Sequence, residues 1–200
     1  MRTRIVEDLS HLPTYAFGHR SVVWWGTLAF LVIEAMGFLM ALFSYLYLRT
    51  HAGIWPLNGT PPALLWGTLN TAVFLISLLP NHWVKKQAEG EKLGPVRIGL
   101  VVSLLIGFVM LAIRWMEFQN LNCRWDDNAY GSIVWFIIGL HTLHLLTEIG
   151  ENAVITALMW VGPIEGKRFV DVSENQEYWY FVVAAWLPVY AVVYLFPRWG

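Results

Sequence analysis

The sequence predicts an all-α integral membrane protein: a bundle of about five transmembrane helices with a cytoplasmic N-terminus and an external C-terminus. Three observations carry that expectation. Apolar residues make up 57% of the chain and charged residues only 14%, where soluble domains carry roughly a quarter charged residues. The chain divides into five apolar runs, each near the roughly 20 helical residues needed to cross a hydrocarbon core about 30 Å thick. Twelve Trp and eight Tyr supply amphipathic rings suited to the membrane–water interfaces.

The elements follow in order. Residues 1–21 form a polar arm, too polar for the apolar core of a signal peptide, and the run after it is too long for one. That run therefore reads as a retained span, and residues 22–200 read as a single five-helix domain. The first span covers 22–48 and is interrupted only by Glu34. The second, 62–83, has no formal charge. The third, 97–115, lies between Arg97 and Arg114, whose long side chains are expected to reach the interface from slightly inside it. The fourth, 131–161, carries His141, His144, Glu148 and Glu151. The fifth, 178–197, contains Pro188. Turn formers and charges fill the connections, as in Leu57-Asn58-Gly59-Thr60-Pro61-Pro62 and Lys85 to Lys92. Long unbroken runs favour helices over the short alternating strands of a barrel. No internal repeat of the transporter kind is visible.

Charge placement sets the expected orientation. Nine of the 13 Lys and Arg residues fall on the side of the N-terminal arm and of the second and fourth connections, and basic residues stay on the cytoplasmic or matrix side. A net charge of −1 gives no footprint for nucleic acid. The single Cys123 has no partner for an intrachain disulfide or a CxxC metal site.

Ionisable groups at membrane depth are costly and point to function or to a sheltering partner. Glu34 sits mid-span, so its carboxyl is expected to be neutral or bonded to a partner. It reads either as a proton-handling or lipid-linked carboxyl, or as a hydrogen bond between helices. His141, His144, Glu148 and Glu151 are spaced three, four and three residues apart. At about 100° per residue they fall within an arc of about 80° on one helix face. Histidines and carboxylates so placed can bind iron, but a dinuclear site or a heme wants ligands from a second helix, and the other spans offer no His apart from His82 at the end of the second. The favoured reading is a polar seam satisfied by neighbouring helices or another subunit. Asn70 and Thr71 in the second span read as interhelical packing groups. Glu117, after Arg114, reads as an interfacial ion pair and is counted with Asn70, Thr71 and the fourth-span groups in the interhelical or inter-subunit polar seam.

The order of these residues resembles subunit III of the heme–copper terminal oxidases, over nearly the whole chain from about residue 20. Glu34 followed by Phe38, Phe43, Tyr45, Tyr47 and Arg49 resembles the family's carboxyl-bearing helix. Pro61-Pro62 and Leu69-Asn70-Thr71 resemble its P…LNT signature. Glu117 resembles the acid of its Gln-x-x-Glu-Tyr region, with Arg114 at the Gln position and Phe118 at the Tyr position. Tyr130-Gly131-Ser132 and Gly139-Leu140-His141-Thr142-Leu143-His144 resemble Y-G-S…G-x-H-x-x-H. Tyr178-Trp179-Tyr180-Phe181-Val182, Trp186, Tyr190 and Tyr194 resemble the aromatic last helix. The chain departs from the pattern in lacking an acid after Val182 and in carrying Glu148 and Glu151.

The resemblance implies a short, five-helix form of the subunit. It implies a non-redox accessory subunit of a proton-pumping oxidase that reduces oxygen to water. This chain then has no catalytic centre, metal or cofactor of its own. Heme and copper belong to partner subunits, subunit I in direct contact, with subunit II and a small subunit IV as further partners. Bound phospholipid is implied, with Glu34 the carboxyl linked to proton uptake or lipid. The bacterial cytoplasmic membrane is expected ahead of the mitochondrial inner membrane. Two alternatives stay open: a subunit III-like accessory protein of nitric oxide reductase, and a membrane metalloprotein using His141, His144 and Glu148.

Overall fold

The computed structural model describes residues 16–57, 60–164 and 166–199. Most of the polar arm, residues 1–15, lies outside the described residues, as do Asn58, Gly59, Glu165 and Gly200. Among the described residues all regular structure is helical. The five long helices are α1 (Val22–His51), α2 (Leu64–Glu89), α3 (Leu93–Gln119), α4 (Ala129–Val161) and α5 (Gly166–Tyr190). Each is long and apolar enough to cross a bilayer, α5 together with the turns that continue it to Arg198.

The helices outrun the apolar runs. Lys85 and Lys86, expected in a connection, sit in the last turns of α2, and only Gly90 to Lys92 separates α2 from α3. Residues 166–177, also expected in a connection, are the first turns of α5. Backbone hydrogen bonding does not stop where side chains turn polar, provided those side chains find partners. Here they do: Lys85 Nζ lies 2.9 Å from Glu89 and 2.8 Å from Glu177, tying α2 to α5.

Local chemistry sets several ends and bends. Asn128 caps α4, its side-chain oxygen accepting from Gly131 N–H at 3.0 Å. Gly131 must be glycine, because a Cβ there would lie 2.0 Å from the Arg124 carbonyl. Pro80 and Pro188 sit inside α2 and α5, where each removes one helical donor. After Tyr190 the chain widens into a π-helical turn, Ala191–Leu195, and closes with a short 3-10 turn, Phe196–Arg198.

Helix α2 packs on α3 and α5, α3 packs on α4, and α4 packs on α5 and α1. Helix α5 touches α1, α2 and α4 and is the most enclosed of the five, whereas α1 is the least. All buried residues of α1 (Phe38, Ala41, Leu42 and Tyr45) lie in its C-terminal half. The N-terminal half packs more loosely, touching α4 and α5 through Glu34 and Phe30. A groove of about 290 Å³ runs there between α1, α4 and α5, lined by Gly26, Phe30, Glu151 and Tyr178 among others. Large apolar side chains such as Leu105, Phe108, Leu143 and Val154 point outward, as expected for a surface facing lipid.

Candidate functional site

The ionisable residues of the spans gather in two main clusters. The deeper one joins α2, α3, α4 and the end of α5. At its centre Glu117 is 1% exposed. Its carboxylate accepts from Arg114 Nη1 at 2.7 Å and from Asn70 Nδ2 at 3.1 Å, and also from the Tyr194 hydroxyl. The Arg114 guanidinium, also 1% exposed, donates through Nη2 to His141 Nδ1 at 3.1 Å. It lies 4.2 Å from the centroid of the Trp186 ring, a cation–π contact strengthened by desolvation. His141 Nε2 faces the Val182 carbonyl at 3.0 Å. Those partners fix the tautomer: Nδ1 accepts from arginine and Nε2–H donates to the carbonyl. Trp186 Nε1 donates to Thr71 at 2.7 Å, closing the network back onto α2.

One sequence expectation is corrected here. The Arg114 side chain does not run out to the surface of the bundle: it is buried beside Glu117, which also bonds Asn70 of α2 and Tyr194. The reason is mutual neutralisation one helical turn apart, with polar partners for the remaining hydrogen bonds, which is the condition under which a buried ion pair is tolerated. Removing Arg114 from the surface count leaves nine basic residues against three. Tyr194 reaches Glu117 because its ring lies flat over Gly67, where a Cβ would come within 2.7 Å of it.

The second cluster joins α1, α4 and α5 beside the groove. Glu34 Oε2 lies 3.0 Å from His144 Nε2 and accepts from the Tyr178 hydroxyl at 2.6 Å. His144 Nδ1 faces the Leu140 carbonyl at 2.7 Å and must donate to it. The contact between Nε2 and Oε2 therefore shares one proton. Imidazolium with carboxylate and imidazole with carboxylic acid are both neutral as pairs, which suits a partly buried site in lipid. Phe38 covers the His144 ring at 4.7 Å between centroids.

The helix face expected to carry four polar groups is thus divided among different neighbours. His141 belongs to the deep cluster and His144 to the groove-side cluster. Glu148 is buried and accepts from Asn175 Nδ2 at 2.9 Å. Glu151, one turn beyond Glu148, is exposed within this chain and lines the groove opposite Gly26, Thr27 and Phe30 of α1. Among the described residues no group of three His, Cys, Asp or Glu side chains converges in a metal-binding arrangement.

Sequence reasoning did not single out Tyr178, Tyr194 or Asn175 as partners of these carboxyls, nor Gln176, which bonds Asn175. The tyrosines stood in the run that resembles the family's aromatic last helix, and Asn175 and Gln176 stood in a segment that read as a connection. Outside the spans, burial pushes the Cys123 thiol up to about 11, with the Asp127 charge adding to the effect.

Comparison with known proteins identifies the family. The family model described as cytochrome c oxidase subunit III matches residues 5–200. Similar chains are cytochrome c oxidase subunit 3 of Thermostichus vulcanus, 24% identical over 86% of this chain and 87% of the relative, and that of Synechocystis, 25% identical over 89% and 77%. The mouse subunit 3 is 26% identical over 94% of this chain and 76% of its own length. With a match that spans nearly every residue, this multi-pass membrane chain belongs to the cytochrome c oxidase subunit III family.

Proposed function

We propose that the chain is the non-redox accessory subunit of a proton-pumping terminal oxidase, docked on subunit I, where it stabilises that subunit, binds lipid and sustains proton uptake through Glu34. The observation that carries the non-redox reading is the state of the histidines in the spans. Both nitrogens of His141 and both of His144 already have protein partners, and a ligand to heme, iron or copper needs a free one. The same fact weighs against a metalloprotein built on His141, His144 and Glu148. The lipid reading is supported by the groove between α1 and α5, whose walls combine Phe30 with the carboxyl of Glu151. The proton reading is supported by Glu34, which shares a proton with His144 at the edge of that groove.

The redox centres then lie in subunits I and II, with a small subunit IV as a further partner. Basic residues concentrate on the N-terminal side, which supports a cytoplasmic N-terminus in a bacterial cytoplasmic membrane. The alternative, an accessory protein of nitric oxide reductase, differs in the partner that co-purifies. Purification in mild detergent through a tag on this chain tests all of this. The expected result is a heme-bearing oxidase subunit in the same complex and no metal retained by the separated chain. Stoichiometric iron or copper in the separated chain, lost on His144→Ala, overturns the reading.

A further inference from the structure

Three buried polar atoms with no hydrogen-bond partner within the protein surround one small cavity. They are Ser103 Oγ on α3, Glu148 Oε2 on α4 and Gln176 Oε1 on α5. Glu148 and Gln176 are each 1% exposed. The cavity measures about 10 Å³, and Ser77, Pro80 and Asn81 of α2 with Ile106, Asn152 and Trp179 complete its wall. That volume is close to the roughly 10–15 Å³ that one water needs, and a buried water is held by two to four polar partners.

The remaining hydrogen bonds define what the three atoms lack. Glu148 Oε1 already accepts from Asn175 Nδ2 at 2.9 Å. Gln176 Nε2 donates to Asn175 Oδ1 at 3.1 Å, so its oxygen is the free end. Gln176 Oε1 needs a donor, Glu148 Oε2 needs a donor if ionised or an acceptor if protonated, and Ser103 can give or take. Only a group that both donates and accepts satisfies all three.

We propose that Ser103, Glu148 and Gln176 hold one buried water molecule, forming a hydrated carboxyl site at the junction of four helices. With Glu148 ionised, the water donates to Glu148 Oε2 and Gln176 Oε1 and accepts from Ser103. With Glu148 protonated, it accepts from the carboxyl and donates to Gln176 and Ser103. Either way it makes three bonds, so the site holds the same water through a change of protonation. Asn175 bonds Glu148 on one side and lines the α1/α5 groove on the other. The site is distinct from the Glu34 pair and does not depend on where electron transfer occurs.

A high-resolution density map of the intact complex purified through this chain tests the proposal. The expected result is one peak within hydrogen-bonding distance of all three atoms. The map is paired with infrared spectra of the same complex, in which the Glu148 carboxyl band is identified by its loss in Glu148→Gln. Ser103→Val fills the cavity, so it should remove the peak and move that band. Glu148 bonded directly to Gln176 or Ser103 in the wild-type map, with no peak between them, overturns the proposal. So does a band that stays in place in Ser103→Val. The wild-type map decides the matter even if a variant fails to assemble.

Discussion

His144 Nε2 on α4 lies 3.0 Å from Glu34 Oε2 on α1, and Tyr178 of α5 donates to the same carboxyl oxygen at 2.6 Å. This is the main polar tie between α1 and the rest of the bundle. The C-terminal half of α1 is held by apolar contacts, by the bond from Trp55 Nε1 to the Tyr45 hydroxyl at 2.9 Å, and by Arg49 lying 5.9 Å from the Phe196 ring centroid.

Breaking that tie should loosen α1 selectively. Hydrogen bonds to charged groups contribute on the order of 1.5–3 kcal/mol, and this pair is partly exposed, so a coupling near 1 kcal/mol is expected from a double-mutant cycle of Glu34→Gln and His144→Ala. Proteolysis near residues 16–21, just before the first span, should speed up in His144→Ala. A coupling near zero would show that the contact contributes nothing.

The Arg114–Glu117 pair makes a sharper prediction. Removing one partner leaves the other buried and unpaired, which costs roughly 3–5 kcal/mol. Arg114→Met and Glu117→Leu should each strongly reduce the amount of folded chain recovered from membranes. The double variant should be recovered better than either single one. Equal recovery of singles and double would contradict the buried placement of the pair.

Gly67→Ala should act at a distance. The new Cβ would lie within 2.7 Å of the Tyr194 ring and displace its hydroxyl from Glu117. Overpacking of this kind costs roughly 1–3 kcal/mol. Adding Tyr194→Leu should recover part of the loss in thermal stability, since it removes the clash. If the second change only adds damage, the close approach is not the cause.

Cys123 should be a slow thiol. Burial, then the charge of Asp127, raises its value from 9.0 to about 11. The reactive species is the thiolate, so less of it is present at any given pH than for an exposed cysteine. Alkylation in the folded chain should be slow at neutral pH and climb steadily as pH approaches 11. Asp127→Asn should speed it modestly. A rate equal to that of a free thiol at neutral pH would contradict the burial.

Much of the candidate site was legible as a list and not as a set of contacts. Glu34, Asn70, Thr71, Glu117, His141, His144 and Glu148 stand out because polar groups are rare in apolar runs. Arg114 was visible too, but its position at the end of a run suggested an interfacial side chain. Nothing in a linear pattern says that Glu117 one turn later, with Asn70 and Tyr194, would draw it inward. The first turns of α5 were missed for a similar reason: their polar composition matches a loop until Lys85, Glu148 and Asn81 are brought against them.

By itself the sequence determined the number and nature of the helices. Five runs of sufficient length and hydropathy must each satisfy their own backbone in lipid, and only a helix does so within one segment. Tertiary structure decided which polar groups meet. His141 and His144, one turn apart on a single helix, serve different clusters because the direction of each side chain is read by a different neighbouring helix. That choice depends on how α1, α2 and α5 pack around α4, through contacts far apart in the chain that no local spacing records.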